Sequence, residues 1–172
     1  MKHIPIPIDL IILDFDGTIT DSIPPAVEAI QEMMKILNLP FKSKEEINKH
    51  VGYGEIPLVS GAIGTKEPKL LKKAMNIYED IYIKDGIKKV KVYSHVREFL
   101  ELFKDKPKVI LSNKKDEFIK LILEFHKLTS YFLKVFGGDT VPYLKPDPCA
   151  IYMILKKYKV SPDRTLYIGD MT

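Results

Sequence analysis

The sequence predicts an α/β protein: a doubly wound parallel sheet with a block of helices inserted after its first strand. Three features carry that reading. An apolar, β-branched run, Leu10-Ile11-Ile12-Leu13, ends abruptly in carboxylates. A long stretch of helical periodicity follows it. Short apolar runs then alternate with helical segments down to residue 170, the pattern of strand–helix–strand crossovers in a parallel sheet.

The first run has no polar alternation, so it reads as a strand buried on both faces. Pro24-Pro25 suits a first helical turn. Ala26, Val27, Ile30, Met33, Met34 and Leu37 recur at helical spacing after it, up to Asn38-Leu39-Pro40. Lys44 to Val51 reads as a short helix stopped by Gly52-Tyr53-Gly54, and Ile56 to Ile63 as another closed by Gly64. Pro68 to Lys84 predicts a longer helix that buries Leu70, Leu71, Ala74, Met75, Ile77, Tyr78, Ile81 and Tyr82. Residues 21–90 thus read as all-helical. Val96 to Phe103 is helical, and Lys108 to Ser112 is a short buried strand set off by Pro107. Glu117 to Phe125 is helical, Tyr131 to Phe136 strand-like, Pro148 to Tyr158 helical and Thr165 to Asp170 a final buried strand. The expected division is a discontinuous core, residues 1–20 and 91–172, with residues 21–90 as a helical domain.

Composition sets the class. Lys and Arg number 27 against 23 Asp and Glu, a net charge of +4. The lysines are spread along amphipathic segments and mixed with acids, which argues for solvated helix faces and against nucleic acid. No stretch approaches a membrane span. The N-terminus, Met1 to Asp9, lacks the long apolar core and small-residue cleavage site of a signal peptide. The single Cys149 cannot form an internal disulfide. A cytoplasmic enzyme, monomer or homodimer, is expected. His3, His50, His95 and His126 are scattered without metal-ligand spacing and read as structural or exposed; His50 borders the Gly52–Glu55 loop.

The chemistry lies at strand ends. Asp14 and Asp16, spaced i, i+2, leave the first strand on the same side. In a parallel sheet the carboxyl ends share one edge, where ligands bind. Ser112, the Lys145 region and Asp170 stand at the ends of later runs. They can therefore converge on the Asp pair. Two like charges at one point need a cation, a proton or a catalytic task.

Asp14-Phe15-Asp16-Gly17-Thr18 after a hydrophobic strand resembles the first signature of the haloacid dehalogenase-like (HAD) phosphatase superfamily. Val109-Ile110-Leu111-Ser112-Asn113 is similar to the second motif. Leu144-Lys145-Pro146-Asp147-Pro148 is similar to the third, and Leu166-Tyr167-Ile168-Gly169-Asp170 to the start of the fourth. The resemblance implies a Rossmann-like core and Mg²⁺ held by Asp14, Asp170 and the backbone carbonyl of Asp16. It makes Asp14 the nucleophile that forms an aspartyl-phosphate, Asp16 the general acid and base, and Lys145 the charge-neutralising cation. Ser112 would bind a phosphoryl oxygen, helped by backbone N–H groups near Phe15 and Asn113. Gly17 would allow close backbone approach, and Thr18 would orient the loop.

The helical insertion resembles the small lid of the phosphoglycolate-phosphatase-like branch, with the Gly52–Glu55 junction reaching the substrate. The expected substrate is a small phosphorylated metabolite: phosphoglycolate-like, pyrophosphate or a sugar phosphate. Two alternatives accompany this. A β-phosphoglucomutase-like mutase shares both carboxylates and the lid. The family pattern continues past the fourth motif with another acid and further core, whereas this sequence stops at Thr172. A shortened, impaired domain that only binds phosphate or a partner is therefore the other alternative.

Overall fold

The computed structural model describes residues 7–170. Most of the N-terminal stretch read above for a signal peptide, with His3, and the terminal Met171-Thr172 lie outside the described residues.

Four parallel strands form the central sheet: β1 (Leu10–Leu13), β4 (Lys108–Leu111), β5 (Lys134–Phe136) and β6 (Thr165–Ile168), in the order β5-β4-β1-β6. Ile12 lies opposite Val109 on one side and Tyr167 on the other. Pleating sends alternate side chains to opposite faces. Ile11, Leu13 and Ile110 enter one core with helix α7 (Asp116–Phe125) and the inserted helices. Leu10, Ile12, Val109 and Leu111 enter a second core with Phe136 of β5 and with Ala150 and Ile154 of α8 (Cys149–Tyr158). Helices on both faces thus explain the unbroken apolar runs of β1 and β4, whereas β6, expected to be buried, is an edge strand that is only partly buried and leaves Tyr167 exposed.

The insertion comprises α1 (Ile23–Ile36), α2 (Lys44–Asn48), α3 (Glu55–Ile63), α4 (Pro68–Ile81) and the one-turn α5 (Ile87–Lys89). A capping box between Ser43 and Glu46 starts α2. Gly64, at φ +74°, ends α3 in the left-handed conformation that glycine adopts without strain. α6 (Val96–Leu102) leads back to the sheet.

Several boundaries differ from the sequence reading, and three of the differences change the local structure. The all-helical stretch begins and ends on a two-residue antiparallel ribbon, in which β2 (Thr20–Asp21) pairs with β3 (Lys91–Val92). The long helix leaves α geometry at Tyr82, where a wider turn, Tyr82–Gly86, leads into α5. The extra residue keeps both Tyr82 and Ile87 buried, which a regular helix of this sequence would not do together. Finally, Thr129–Tyr131 is a 3₁₀ turn, and β5 begins only at Lys134. Its partner β4 starts at Lys108, just after Pro107; the Leu133 N–H still donates to Lys108 O at 2.8 Å, and the residues before Leu133 have no strand to pair with.

Candidate active site

The parallel register brings the ends of β1, β4 and β6 to one edge. The Asp14 N–H donates to Ile168 O at 2.8 Å, and the Ser112 N–H to Phe136 O at 3.0 Å, each extending the ladder by one residue. Asp14 is only 5 % exposed. Its Oδ1 accepts the Phe15 N–H at 2.7 Å, and its Oδ2 lies 2.5 Å from Lys145 Nζ. Burial pushes the Asp14 carboxyl above the usual carboxylate range, and the Lys145 ammonium pulls it back. Lys145 Nζ also donates to the Tyr167 hydroxyl at 3.2 Å.

Beyond Asp14 the chain turns sharply. Gly17 takes φ +79°, and the Ile19 and Thr20 N–H groups return to Phe15 O at 2.9 and 3.0 Å. The turn carries Asp16 toward the inserted helices. Its carboxylate accepts the Ser22 hydroxyl and pairs with Lys114, whose Nζ lies 3.1 Å from Oδ1 and 3.2 Å from Oδ2. Lys114 is 7 % exposed and lies over the Tyr82 ring, 5.2 Å from its centroid. Burial opposes its charge. The negative groups around it, Asp16 first, outweigh that cost and hold Lys114 well above the ordinary lysine range.

Ser112 is buried, and its hydroxyl oxygen accepts the Lys114 N–H at 3.3 Å. The Asn113 backbone N–H is the group expected to help bind phosphate; the Asn113 side chain is engaged within the protein. Its Nδ2 donates to Gly52 O at 2.8 Å and to Lys145 O at 3.0 Å, while its Oδ1 accepts the Lys145 N–H at 2.8 Å. The amide thus pins the Lys145 loop and the Gly52 loop to the end of β4. Thr18 donates to Asp170 Oδ1 at 3.3 Å, so it bridges the first and last strand ends.

Asp14, Asp16, Ser112, Asn113, Lys114 and Lys145 line a cavity of about 400 Å³, which Val51, Gly52, Tyr53, Gly54 and Glu55 close from the helical side. Further bonds tie the two sides together. Both Glu55 carboxylate oxygens accept the Lys115 N–H, at 3.0 and 3.1 Å, and Lys115 Nζ pairs with Glu79 of α4 at 3.0 Å. Burial pushes the Glu55 carboxyl up, opposed by Lys114. His50 stays outside the cavity, with its ring against Gly61 of α3.

The donors available to a metal ion are all oxygens. A side chain at Gly17 would collide with the Asp170 carboxylate, which fills that space, so glycine lets Asp170 close on the turn carrying Asp14 and Asp16. The Asp16 side chain faces Ser22 and Lys114, leaving its backbone carbonyl as its available donor. Among the described residues no three His, Cys, Asp or Glu side chains converge on one point. Two carboxylates from adjacent strands, a carbonyl and water make a donor set that suits Mg²⁺, which keeps part of its hydration shell.

Sequence reasoning missed Lys114, Ser22 and Tyr167. A lysine two residues past a strand end looks like the other lysines of this chain. No local signal marks it, because the chain bends after β4 and the Lys114 N–H turns back to the Ser112 hydroxyl.

A family model described as haloacid dehalogenase-like hydrolase matches residues 11–172. The chain is 32% identical to a phosphoglycolate phosphatase of Photobacterium profundum, covering 95% of this chain and 75% of that protein. A phosphoglycolate phosphatase of Vibrio parahaemolyticus is 31% identical over the same shares. The crystal structure of a predicted phosphoglycolate phosphatase from Haemophilus somnus superposes with a TM-score of 0.88 at 25% identity, covering 95% of this chain and 77% of that one. A HAD-superfamily hydrolase of subfamily IA from Geobacter sulfurreducens shares the fold, with a TM-score of 0.74 at 20% identity over 95% of this chain and 80% of that one.

Proposed function

The chain belongs to the haloacid dehalogenase-like hydrolase family, and from that premise we propose that it is a phosphatase acting on a small phosphorylated metabolite through an aspartyl-phosphate at Asp14. Relatives named phosphoglycolate phosphatase support the activity. Phosphoglycolate, pyrophosphate and sugar phosphates are its candidate substrates. One observation carries the reading: a buried carboxylate, Asp14, held 2.5 Å from Lys145 at the edge of a cavity that also holds Asp16 and Ser112.

Each residue has a task. Phe15 N–H and Lys145 orient the two Asp14 oxygens, so the carboxylate meets phosphorus without searching rotamers. Attack forms the Asp14–phosphorus bond and breaks the ester bond. Asp16 protonates the departing oxygen and then takes a proton from the water that hydrolyses the aspartyl-phosphate. Ser112 O–H donates to a phosphoryl oxygen, its own oxygen already accepting the Lys114 N–H. Lys145 neutralises charge gathering on the phosphoryl group. Mg²⁺ on Asp14, Asp170 and the Asp16 carbonyl would offset the repulsion between carboxylate and phosphate dianion. Residues 1–20 and 91–172 form the catalytic core in this reading, and residues 21–90 a lid that excludes water. The Asn113–Gly52, Glu55–Lys115 and Lys115–Glu79 contacts are its latch.

The test is turnover of an aryl phosphate with Mg²⁺ by the wild type and Asp14→Asn. Wild-type turnover that is lost in the variant, with circular dichroism and Tm retained, is the expected result. Near-normal turnover in Asp14→Asn would overturn the nucleophile.

A further inference from the structure

Resting on the phosphatase reading, we infer that the alcohol half of the substrate is a neutral, hydroxyl-bearing group, and that it carries no second anion. The cavity is large for a phosphoryl group with a two-carbon acid attached. About 400 Å³ is within the range of pockets that enclose whole metabolites. Away from Asp14, its wall is built from Ile23, Ala26, Val51, Leu58 and Tyr78. All come from the inserted segment, so the leaving group meets an apolar surface there.

Charge decides the rest. Two lysines line the cavity, Lys114 and Lys145, against four carboxylates, Asp14, Asp16, Glu55 and Asp147. Lys145 is committed to Asp14 and the incoming phosphoryl group. Lys114 is committed to Asp16, with Glu55 also in its field. Recognition of a second carboxylate is typically work for a forked guanidinium. Neither arginine is placed for it, since Arg97 donates to His126 O and Arg164 pairs with Asp9. A carboxylate on the leaving group would instead approach Glu55 and Asp16, with no uncommitted cation among the lining side chains. Such a cavity selects by repulsion as much as by attraction.

A hydroxyl fits where a carboxylate does not. Each Glu55 oxygen already accepts the Lys115 N–H, and a carboxylate has lone pairs left for a further donor. Glu55 thus serves as the acceptor for a leaving-group hydroxyl, with the apolar wall covering the carbon skeleton.

The experiment compares kcat/KM, with Mg²⁺, for phosphoglycolate, 2-hydroxyethyl phosphate and glycerol phosphate, in the wild type and in Glu55→Gln. The first two differ mainly in a carboxylate for a hydroxymethyl group. The wild type should prefer the hydroxylated esters by about tenfold or more. Glu55→Gln keeps an acceptor for Lys115 N–H but removes the charge, and should narrow that preference several-fold. Phosphoglycolate turned over as well as 2-hydroxyethyl phosphate by the wild type would overturn the inference, even if the variant fails to fold. So would a preference that Glu55→Gln leaves unchanged. Aryl phosphate in the same panel separates the two failures. Its turnover with phosphoglycolate preferred overturns only the substrate class, whereas no turnover of any ester overturns the phosphatase reading and this inference with it.

Discussion

Lys114 grips Asp16 by both carboxylate oxygens, at 3.1 and 3.2 Å, from the loop that follows a different strand. The pair joins the end of β1 to the end of β4 and lies against Tyr82 of the inserted segment. In the proposed mechanism Asp16 has to present one oxygen to the leaving group and later to water. Lys114 and Ser22 fix where that carboxylate stands.

Lys114→Met keeps the length of the side chain and removes the charge. It should lower kcat/KM on an alkyl phosphate by about 10–100-fold through misplacement of Asp16. It should also cost roughly 1–3 kcal/mol of stability by leaving a partly buried carboxylate short of a partner. The double variant with Asp16→Asn is decisive. Lys114→Met should cost little more in that background, because its effect runs through Asp16. Full additivity of the two losses would assign Lys114 to another task.

Gly17 offers a test of the metal site that substitutes none of the proposed ligands. At φ +79°, with the Asp170 carboxylate where a Cβ would go, Gly17→Ala must strain the backbone and displace Asp170. The Mg²⁺ concentration for half-maximal activity should rise by about 10–100-fold, and excess Mg²⁺ should restore part of the rate. Titration of activity against Mg²⁺ reads this directly. An unchanged Mg²⁺ requirement would remove Asp170 from the ligand set.

The parts legible in the sequence were those with short-range signals. Leu10 to Leu13 had to be a doubly buried strand, and Asp14 and Asp16 had to leave it together. The parallel sheet then follows from strand–helix alternation, and with it the shared edge for Ser112 and Asp170. The Asn113 pin and the Lys114–Asp16 pair were not legible, because both depend on side chains meeting across loops far apart in sequence. The β2–β3 ribbon was missed because two residues per strand leave no period to detect. The turn at Tyr82 was missed because a one-residue widening only shifts the helical phase.

Asn113→Ala should behave as a geometric lesion. The change removes the bonds to Gly52 O, Lys145 O and Lys145 N–H. Lys145 then loses the support that sets its backbone opposite Asp14, and a displacement of about 1 Å is enough to cost on the order of 10²-fold in rate. Asn113→Asp retains an acceptor for the Lys145 N–H but neither donor, and should fall between wild type and alanine. If both variants keep full kcat while KM alone rises, the amide contacts substrate instead of the loop.

Asp16→Asn tests the proton shuttle without changing its size. General acid–base catalysis is typically worth about 10²–10⁴-fold. The size of the loss should depend on the leaving group. An alkyl alkoxide is strongly basic and needs a proton as the ester bond breaks, so alkyl phosphates should lose the most. A p-nitrophenolate departs without one, so aryl phosphate should keep its first step and stall at hydrolysis of the aspartyl-phosphate, which still needs a base for water. Rapid mixing with p-nitrophenyl phosphate should therefore show a burst of about one equivalent of nitrophenolate followed by slow turnover. Equal losses across the leaving-group series, with no burst, would place the function of Asp16 in holding the Lys114 side chain and not in moving protons.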